Sequence, residues 1–150
     1  MQIHAALPSQ TETLTRIALA AKRHWGYPER WIEIWTPLLT FTPADLAQAD
    51  FFVANVDDEV AAFYSLTVAG PRAELENLWV LPAFMGQGVG RGLFEHALLR
   101  ARELGCSILE IEADPNAVGF YEKMGARIVG QHIGEVDGQP RLLPIMEISL

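Results

Sequence analysis

The sequence predicts an α/β fold built on one mixed β-sheet, and three observations support this class. Apolar residues recur at helical spacing before residue 50 and at a strand-like spacing of two after it. A strand–helix–strand unit then follows an antiparallel series of strands, so one sheet contains both strand directions. The chain has 150 residues, of which 50% are hydrophobic, enough for one substantial core.

One strand and two helices are predicted in the first third of the chain. Gln2–Ala6 alternates in polarity and is expected to be a strand. One helix begins at Pro8 and ends at Gly26, and a second begins at Pro28. Each carries apolar residues at helical spacing, which predicts a buried stripe: Leu14, Ile17, Ala18 and Ala21, then Trp31, Ile34, Trp35 and Leu38.

The rest of the chain predicts strands interrupted by two helices. The predicted elements are strands Phe51–Val56, Val60–Val68 and Ala73–Leu81, a long helix ending at Gly105, strand Ser107–Ala113, helix Asn116–Met124, and a hairpin of Ala126–Val136 with Leu142–Leu150. We expect Pro140 and Pro144 to confine the regular part of the last strand to its end. The predicted order is β-α-α-β-β-β-α-β-α-β-β.

Composition narrows the possible partners and the compartment. The net charge of −8 and the absence of a basic run disfavour nucleic-acid binding, whereas an acidic surface suits cationic amines. No apolar run could span a membrane, and no signal-like N-terminus is present. Cys106 is the single cysteine, so a reducing cytoplasm is expected. The four histidines are scattered, and no metal site is predicted.

A glycine-rich loop precedes the long helix. Four glycines alternate in the sequence from Gly86 to Gly92, and each costs roughly 1 kcal/mol of helix propensity against alanine. The spacing fits neither a dinucleotide fingerprint nor a Walker loop. Exposed N–H groups at a helix N-terminus bind phosphate well, so a pyrophosphate cradle is one interpretation. Close packing of helix against strand is the alternative.

This loop resembles the coenzyme A loop of the GCN5-related N-acetyltransferase (GNAT) family, Arg/Gln-x-x-Gly-x-Gly/Ala. Gly88 and Gly90 match the two small positions, and Met85 stands at the usual Arg or Gln. The resemblance implies one GNAT acyl-CoA N-acyltransferase domain over residues 1–150, with acetyl-CoA as acyl donor. It also implies a set of cofactor-binding residues: Leu78, Val80, Met85, Gly86, Gln87, Gly88, Val89, Gly90, Arg91, Asn116, Phe120 and Tyr121. Arg91 has an ordinary solvated helix residue as its alternative.

A second segment, from Asn116 to Ala126, resembles the family's Asn-x-x-Ala-x-x-Phe-Tyr-x-x-x-Gly-Phe element. The resemblance implies that Asn116 hydrogen-bonds the pantetheine arm and that Tyr121 lies beside the sulfur. A phenol can supply a proton or a hydrogen bond to a departing thiolate. The alternative, which we favour for Phe120, is aromatic packing between helix and sheet.

The strand before the glycine loop is expected to aim the thioester. By resemblance, the main-chain N–H of Val80 points at the acetyl carbonyl and stabilises the tetrahedral intermediate. Glu76 shares the face of Val80 by the two-residue period, and a glutamate on this strand is a frequent general base in the family. Glu74 is the reserve candidate, and deprotonation through water alone is the alternative.

The predicted activity is transfer of an acetyl group to an amine of a small molecule or peptide. Trp25, Tyr27 and Trp31 are candidates for the acceptor pocket, and Trp35 is expected in the core. The alternative from another class is a catalytically silent acyl-CoA sensor or assembly module. The resemblance also implies that the chain can form a homodimer.

Overall fold

The computed structural model describes all 150 residues, which form seven β-strands and five α-helices. The strands are β1 (Gln2–Ala5), β2 (Asp50–Val56), β3 (Glu59–Ala69), β4 (Arg72–Val80), β5 (Ile108–Glu112), β6 (Arg127–Val136) and β7 (Gln139–Ser149). The helices are α1 (Thr11–His24), α2 (Glu29–Trp35), α3 (Pro43–Gln48), α4 (Val89–Glu103) and α5 (Val118–Lys123). The predicted order is confirmed, and α3 is a short addition where Thr42 and Asp45 cap each other.

All seven strands form one mixed sheet in the order β1-β2-β3-β4-β5-β7-β6. Only β4 and β5 are parallel, because α4 carries the chain back across the sheet between them. The hairpin between β2 and β3 turns at Asp57 and Asp58, both with positive φ, as a two-residue turn of this hand requires.

The two faces of the sheet bury separate apolar clusters. Alternate residues of β3 serve opposite faces: Tyr64 packs in the cluster with α4, and Phe63 packs in the cluster with α1. No helix is long and apolar enough to cross a membrane.

The predicted buried stripe of the second helix is wrong. Ile32 is the fully buried residue of α2, whereas Ile34 is 41% and Leu38 is 78% exposed. Because α2 ends at Trp35, Leu38 lies beyond the helix and the i+7 relation does not apply to it.

A bulge and a parting of strands shape the centre of the sheet. Ser65 of β3 pairs with Asn77 and Leu66 pairs with Leu75, which leaves Glu76 as an extra residue in β4. The parallel pairing with β5 stops at Leu75, opposite Ile111. The rest of β4, as far as Val80, therefore runs beside an opening instead of a partner strand.

The last strand runs through both prolines, which corrects the prediction that they confine its regular part to the end. Pro140 and Pro144 pair with β6, but the pairing of β7 with β5 begins only at Ile145. Both prolines thus lie in the part of β7 that pairs with β6 alone. The Pro144 carbonyl accepts from the Ala113 N–H, on the side away from β6, so the missing proline N–H interrupts no bond to β6.

Candidate active site

A channel of about 310 Å³ opens where β4 parts from β5. Its walls come from β4, the loop before α4, the end of β5, and α5. Eight residues predicted to bind the cofactor line it: Leu78, Val80, Met85, Gly86, Gly90, Asn116, Phe120 and Tyr121. The parting of the two strands thus gathers side chains that lie far apart in the sequence.

The glycine loop presents free backbone donors at one end of this channel. Gly86 and Gly88 have φ of 75° and 83°, a left-handed conformation that favours glycine whether or not a ligand approaches. Gly88 is the N-cap of α4, and the first N–H of the helix with a backbone acceptor is that of Gly92. No N–H from Gly86 to Arg91 has a protein acceptor. These groups suit an anion such as a diphosphate.

The remaining loop residues predicted to bind the cofactor do not line the channel with their side chains. The Gln87 amide donates to the Ala83 carbonyl, and the Val89 side chain lies in the core. Arg91 forms an exposed ion pair with Glu95 at 3.0 Å, as expected for a solvated helix residue. The main-chain N–H groups of Gln87, Gly88, Val89 and Arg91 are without a protein acceptor and remain available to a ligand.

The backbone of Val80 faces the opening between the strands. The next residue, Leu81, donates its N–H to Ala61 on the β3 side. Because successive N–H groups of a strand point to opposite sides, the Val80 N–H points away from β3. It therefore faces the channel, where β5 no longer supplies an acceptor.

Tyr121 is 6% exposed and lines the channel. Its ring packs against Phe94 and Phe120, with centroids 5.6 and 5.2 Å away. The hydroxyl has no protein partner and is not sealed from the channel. Burial raises the pKa of the Tyr121 phenol above its ordinary value, and the Asp114 carboxylate raises it further, so the group stays protonated and can donate.

A second cavity, the groove, has a volume of about 500 Å³ and adjoins the channel. Leu75, Glu76, Trp79, Glu112 and Asp114 line both spaces. Glu74 and Glu110 add carboxylates to the groove, and Lys22 and Arg141 are its cations. Carboxylates outnumber cations on its walls.

Glu76 lies at this junction, but its predicted phase is wrong. The bulge breaks the two-residue alternation, because Leu75, Leu78 and Val80 all belong to the α4 side although Leu75 and Leu78 are three residues apart. Glu76 shares the groove with Glu74 and Trp79 instead. Its carboxylate accepts a hydrogen bond from the Thr67 hydroxyl at 3.0 Å.

Asp114 is the centre of a polar network between channel and groove. Its carboxylate accepts from Lys22 Nζ at 2.8 Å, Arg141 Nη2 at 3.2 Å and the Tyr27 hydroxyl at 2.9 Å. It also accepts from the Asn116 main-chain N–H and side-chain amide, at 2.9 and 3.0 Å. Burial alone would raise the pKa of Asp114, but the Lys22 ammonium and the hydrogen bonds lower it below its usual range.

Aromatic rings surround the cations of this network. Lys22 Nζ lies 4.2 Å from the Trp35 ring centroid, and the Arg141 guanidinium carbon lies 4.7 Å from it. Trp35 was expected in the core, and it packs against the α1-side cluster while also lining the groove.

The predicted acceptor-pocket residues divide among three places. Trp25 is 39% exposed and lines the channel, not the groove. Tyr27 joins the Asp114 network, and Trp31 stacks on Tyr27 at 5.9 Å and lines neither cavity.

Sequence reasoning missed Asp114, Lys22 and Arg141. The Asp114-Pro115 pair is a helix-start signal, and Asp114 caps the turn that leads into α5. Lys22 follows the apolar stripe of α1, and a lone lysine on a predicted buried face is a signal that the sequence does carry. In the structure Lys22 is 9% exposed. For Arg141 we find no signal in the sequence.

We expect Asp114→Asn to lower the free energy of unfolding at pH 7 by about 3 kcal/mol, because it leaves two nearly buried cations without their carboxylate. The folded pKa of Asp114 is lowered, so its contribution is full above its unfolded pKa and is lost as pH falls through the folded pKa. The free energies of unfolding of the wild type and Asp114→Asn, measured in urea, should therefore converge as the pH falls below the usual pKa range of an aspartate.

The matched control is Asp137→Asn, which removes an exposed ion pair with Arg30 at 2.9 Å. That change should lower the free energy of unfolding far less than Asp114→Asn does, because solvent screens an exposed pair. Equal effects of the two substitutions at pH 7 would contradict a buried charge network.

Solved structures with this fold include two that align over nearly the whole chain. A GCN5-related N-acetyltransferase from Rhodopseudomonas palustris has a TM-score of 0.85 at 23% identity and covers 99% of this chain and 95% of that one. The PaiA N-acetyltransferase from Thermoplasma acidophilum, solved with coenzyme A, has a TM-score of 0.75 at 22% identity over 100% of both chains. At these identities the likeness establishes the fold.

Sequence comparison supplies the family. The peptidyl-lysine N-acetyltransferase YjaB of Salmonella typhimurium is 36% identical over 104 residues, 69% of this chain and 66% of that protein. The match therefore spans about two thirds of the relative. The model of the acetyltransferase (GNAT) family matches residues 14–126. The matched range includes both the glycine loop and the tyrosine segment, and the chain belongs to the GNAT acetyltransferase family.

Proposed function

We propose that this protein transfers an acetyl group from acetyl-CoA to an amine of a small molecule or peptide, by direct attack of the amine on the thioester. One observation carries the proposal: a row of unpartnered main-chain N–H groups, Gly86–Arg91, opens onto the channel left by the parted strands. The alternative is an acyl-CoA sensor without catalytic activity. Binding alone would not require a free phenol in the channel, and Tyr121 provides one.

The residues of the channel fit coenzyme A. The loop amides and the α4 N-terminus suit its diphosphate, and the unpaired edge of β4 suits the amides of its pantetheine arm, which can add to the sheet like a strand. Leu78 and Phe120 give the channel apolar walls beside the arm. The cofactor binds as the acyl donor.

The groove suits a cationic acceptor that reaches the thioester from the β4 side. Carboxylates of β4 and β5 line it and attract a protonated amine. The Salmonella relative is named a peptidyl-lysine N-acetyltransferase, so a lysine side chain is the first acceptor to test. Trp79 lines both cavities, so it lies where the amine would pass from the groove into the channel.

Three groups divide the chemistry at the junction of channel and groove. Glu76 takes a proton from the incoming ammonium, which otherwise is not nucleophilic near neutral pH. The Val80 N–H donates to the carbonyl oxygen as negative charge develops on it. The Tyr121 hydroxyl then donates to the departing thiolate sulfur.

The test of the whole proposal is thiol release from acetyl-CoA with a panel of amines that includes lysine peptides. We expect turnover by the wild-type protein and loss of detectable acetyl-CoA binding in Gly90→Arg. A Cβ at Gly90 would contact Phe120 and Val80 at 3.5 Å, so a long side chain fills the channel.

Gly119→Arg is the matched control, because a Cβ there meets nothing within 4 Å and Gly119 does not line the channel. It should bind acetyl-CoA as the wild type does. Calorimetric titration measures both variants, and undiminished affinity of Gly90→Arg would refute the placement of the cofactor.

Tyr121→Phe should lower kcat about 100-fold while the Kd for CoA changes little, because the lost hydroxyl acts on the leaving sulfur. Tyr64→Phe is the control: it removes a buried phenol bonded to His96 at 2.7 Å, away from the channel, and should keep kcat. Steady-state kinetics of the two variants test this prediction, and an unchanged kcat in Tyr121→Phe excludes the Tyr121 hydroxyl as the donor.

Glu76→Gln should lower kcat/KM for the amine about 100-fold at pH 7, because the general base is lost. The deficit should shrink as pH approaches the pKa of a lysine-like amine, about 10.4, where the free amine no longer needs a base. Glu74→Gln, the neighbouring carboxylate in the groove, should stay close to wild type. If both variants keep the wild-type kcat/KM, deprotonation proceeds through water, and if Glu74→Gln alone is impaired, Glu74 is the base.

A further inference from the structure

Tyr27 connects the wall of the groove to a residue of the channel. It lies between α1 and α2, yet its hydroxyl is 2.9 Å from the Asn116 side-chain nitrogen, on the turn that leads into α5. Sequence reasoning assigned Tyr27 to the acceptor pocket and Asn116 to the cofactor. The hydrogen bond between them joins the two sides of the site.

The hydrogen-bond capacity of the Tyr27 hydroxyl is filled by three neighbours. It donates to Asp114, because a carboxylate can only accept. It accepts from Arg141 Nη2 at 3.1 Å, because a guanidinium can only donate. Burial raises the pKa of the Tyr27 phenol, so the proton directed at Asp114 is retained. Its remaining lone pair accepts from the Asn116 amide.

These neighbours fix which way the Asn116 amide faces. Its Nδ2 lies 2.9 Å from the Tyr27 oxygen and 3.0 Å from Asp114 Oδ1. The reversed amide would set its oxygen against a carboxylate that cannot donate. Oδ1 is thus held away from both partners and is the one polar atom of the side chain with no protein contact, while Asn116 lines the channel.

We propose that Tyr27 and Asp114 are positioning residues that orient the Asn116 amide, so that its Oδ1 accepts a hydrogen bond from an amide N–H of the pantetheine arm. This rests on the proposed function only in taking coenzyme A as the ligand of the channel. The oxygen has no protein partner and belongs to an exposed side chain that lines the channel, so it is free to accept from either of the two amide N–H groups of the arm. Tyr27 lines neither cavity, so its effect on the affinity for the cofactor acts through Asn116.

The test is a double-mutant cycle on CoA binding, with Tyr27→Phe, Asn116→Ala and the pair. If the Asn116 amide is no longer oriented, its one neutral hydrogen bond to the arm is lost, so the Kd should rise about fivefold in Tyr27→Phe. The rise should be less than about twofold when Asn116 is already alanine. Binding of adenosine 3′-phosphate 5′-diphosphate, which has the diphosphate but no pantetheine arm, should be the same with and without the Tyr27 hydroxyl. Circular dichroism checks that each variant is folded.

Three outcomes overturn the inference alone. Tyr27→Phe weakens both ligands equally, it weakens CoA binding by the same factor with and without the Asn116 side chain, or it leaves the CoA affinity unchanged. A wild-type chain that binds neither ligand overturns both the inference and the proposed function. Tight CoA binding without turnover on any amine overturns the proposed function, but the double-mutant cycle still tests the inference.

Discussion

The loss of pairing between β4 and β5 beyond Leu75 and Ile111 is the constraint on which the site depends. An unpaired strand edge inside a sheet is costly unless its N–H and C=O groups find other partners. In this fold the gap is kept open because the bulge at Glu76 bends β4 and α5 covers the opening with aromatic side chains. A ligand with amide groups can form hydrogen bonds to the edge of β4 that β5 leaves unpaired.

The same bulge decides on which face of β4 the Glu76 side chain lies. Without the extra residue, Glu76 would keep the phase of Leu78 and Val80 and face the α4 side. With it, the carboxylate lies beside Trp79 on the wall shared by channel and groove. A single inserted residue therefore places the carboxylate of Glu76 beside the groove while the Val80 N–H of the same strand faces the channel.

The element order and the glycine loop could be predicted from local patterns, because periodicity, helix caps and turn residues act over a few positions. The family motifs located Asn116 and Tyr121 for the same reason. The phase of Glu76 could not be predicted, since a bulge depends on the partner strand as well as on its own residues. The Asp114 network joins residues up to 114 positions apart in the sequence, and only the tertiary fold brings them together. The prediction of a buried stripe on α2 is wrong because the helix ends at Trp35, before Leu38, the i+7 residue.

The Asp114 network is better understood as a device for geometry than for stability. Burying two cations with one carboxylate gains little net free energy over apolar packing, since desolvation offsets most of the attraction. Its members come from α1, the α1–α2 connection, β7 and the turn before α5. A directional network of this kind permits only one arrangement of these four segments, whereas apolar contacts tolerate small slides. The distance between the groove and the channel is thereby fixed, and the proposed transfer depends on such fixed positioning.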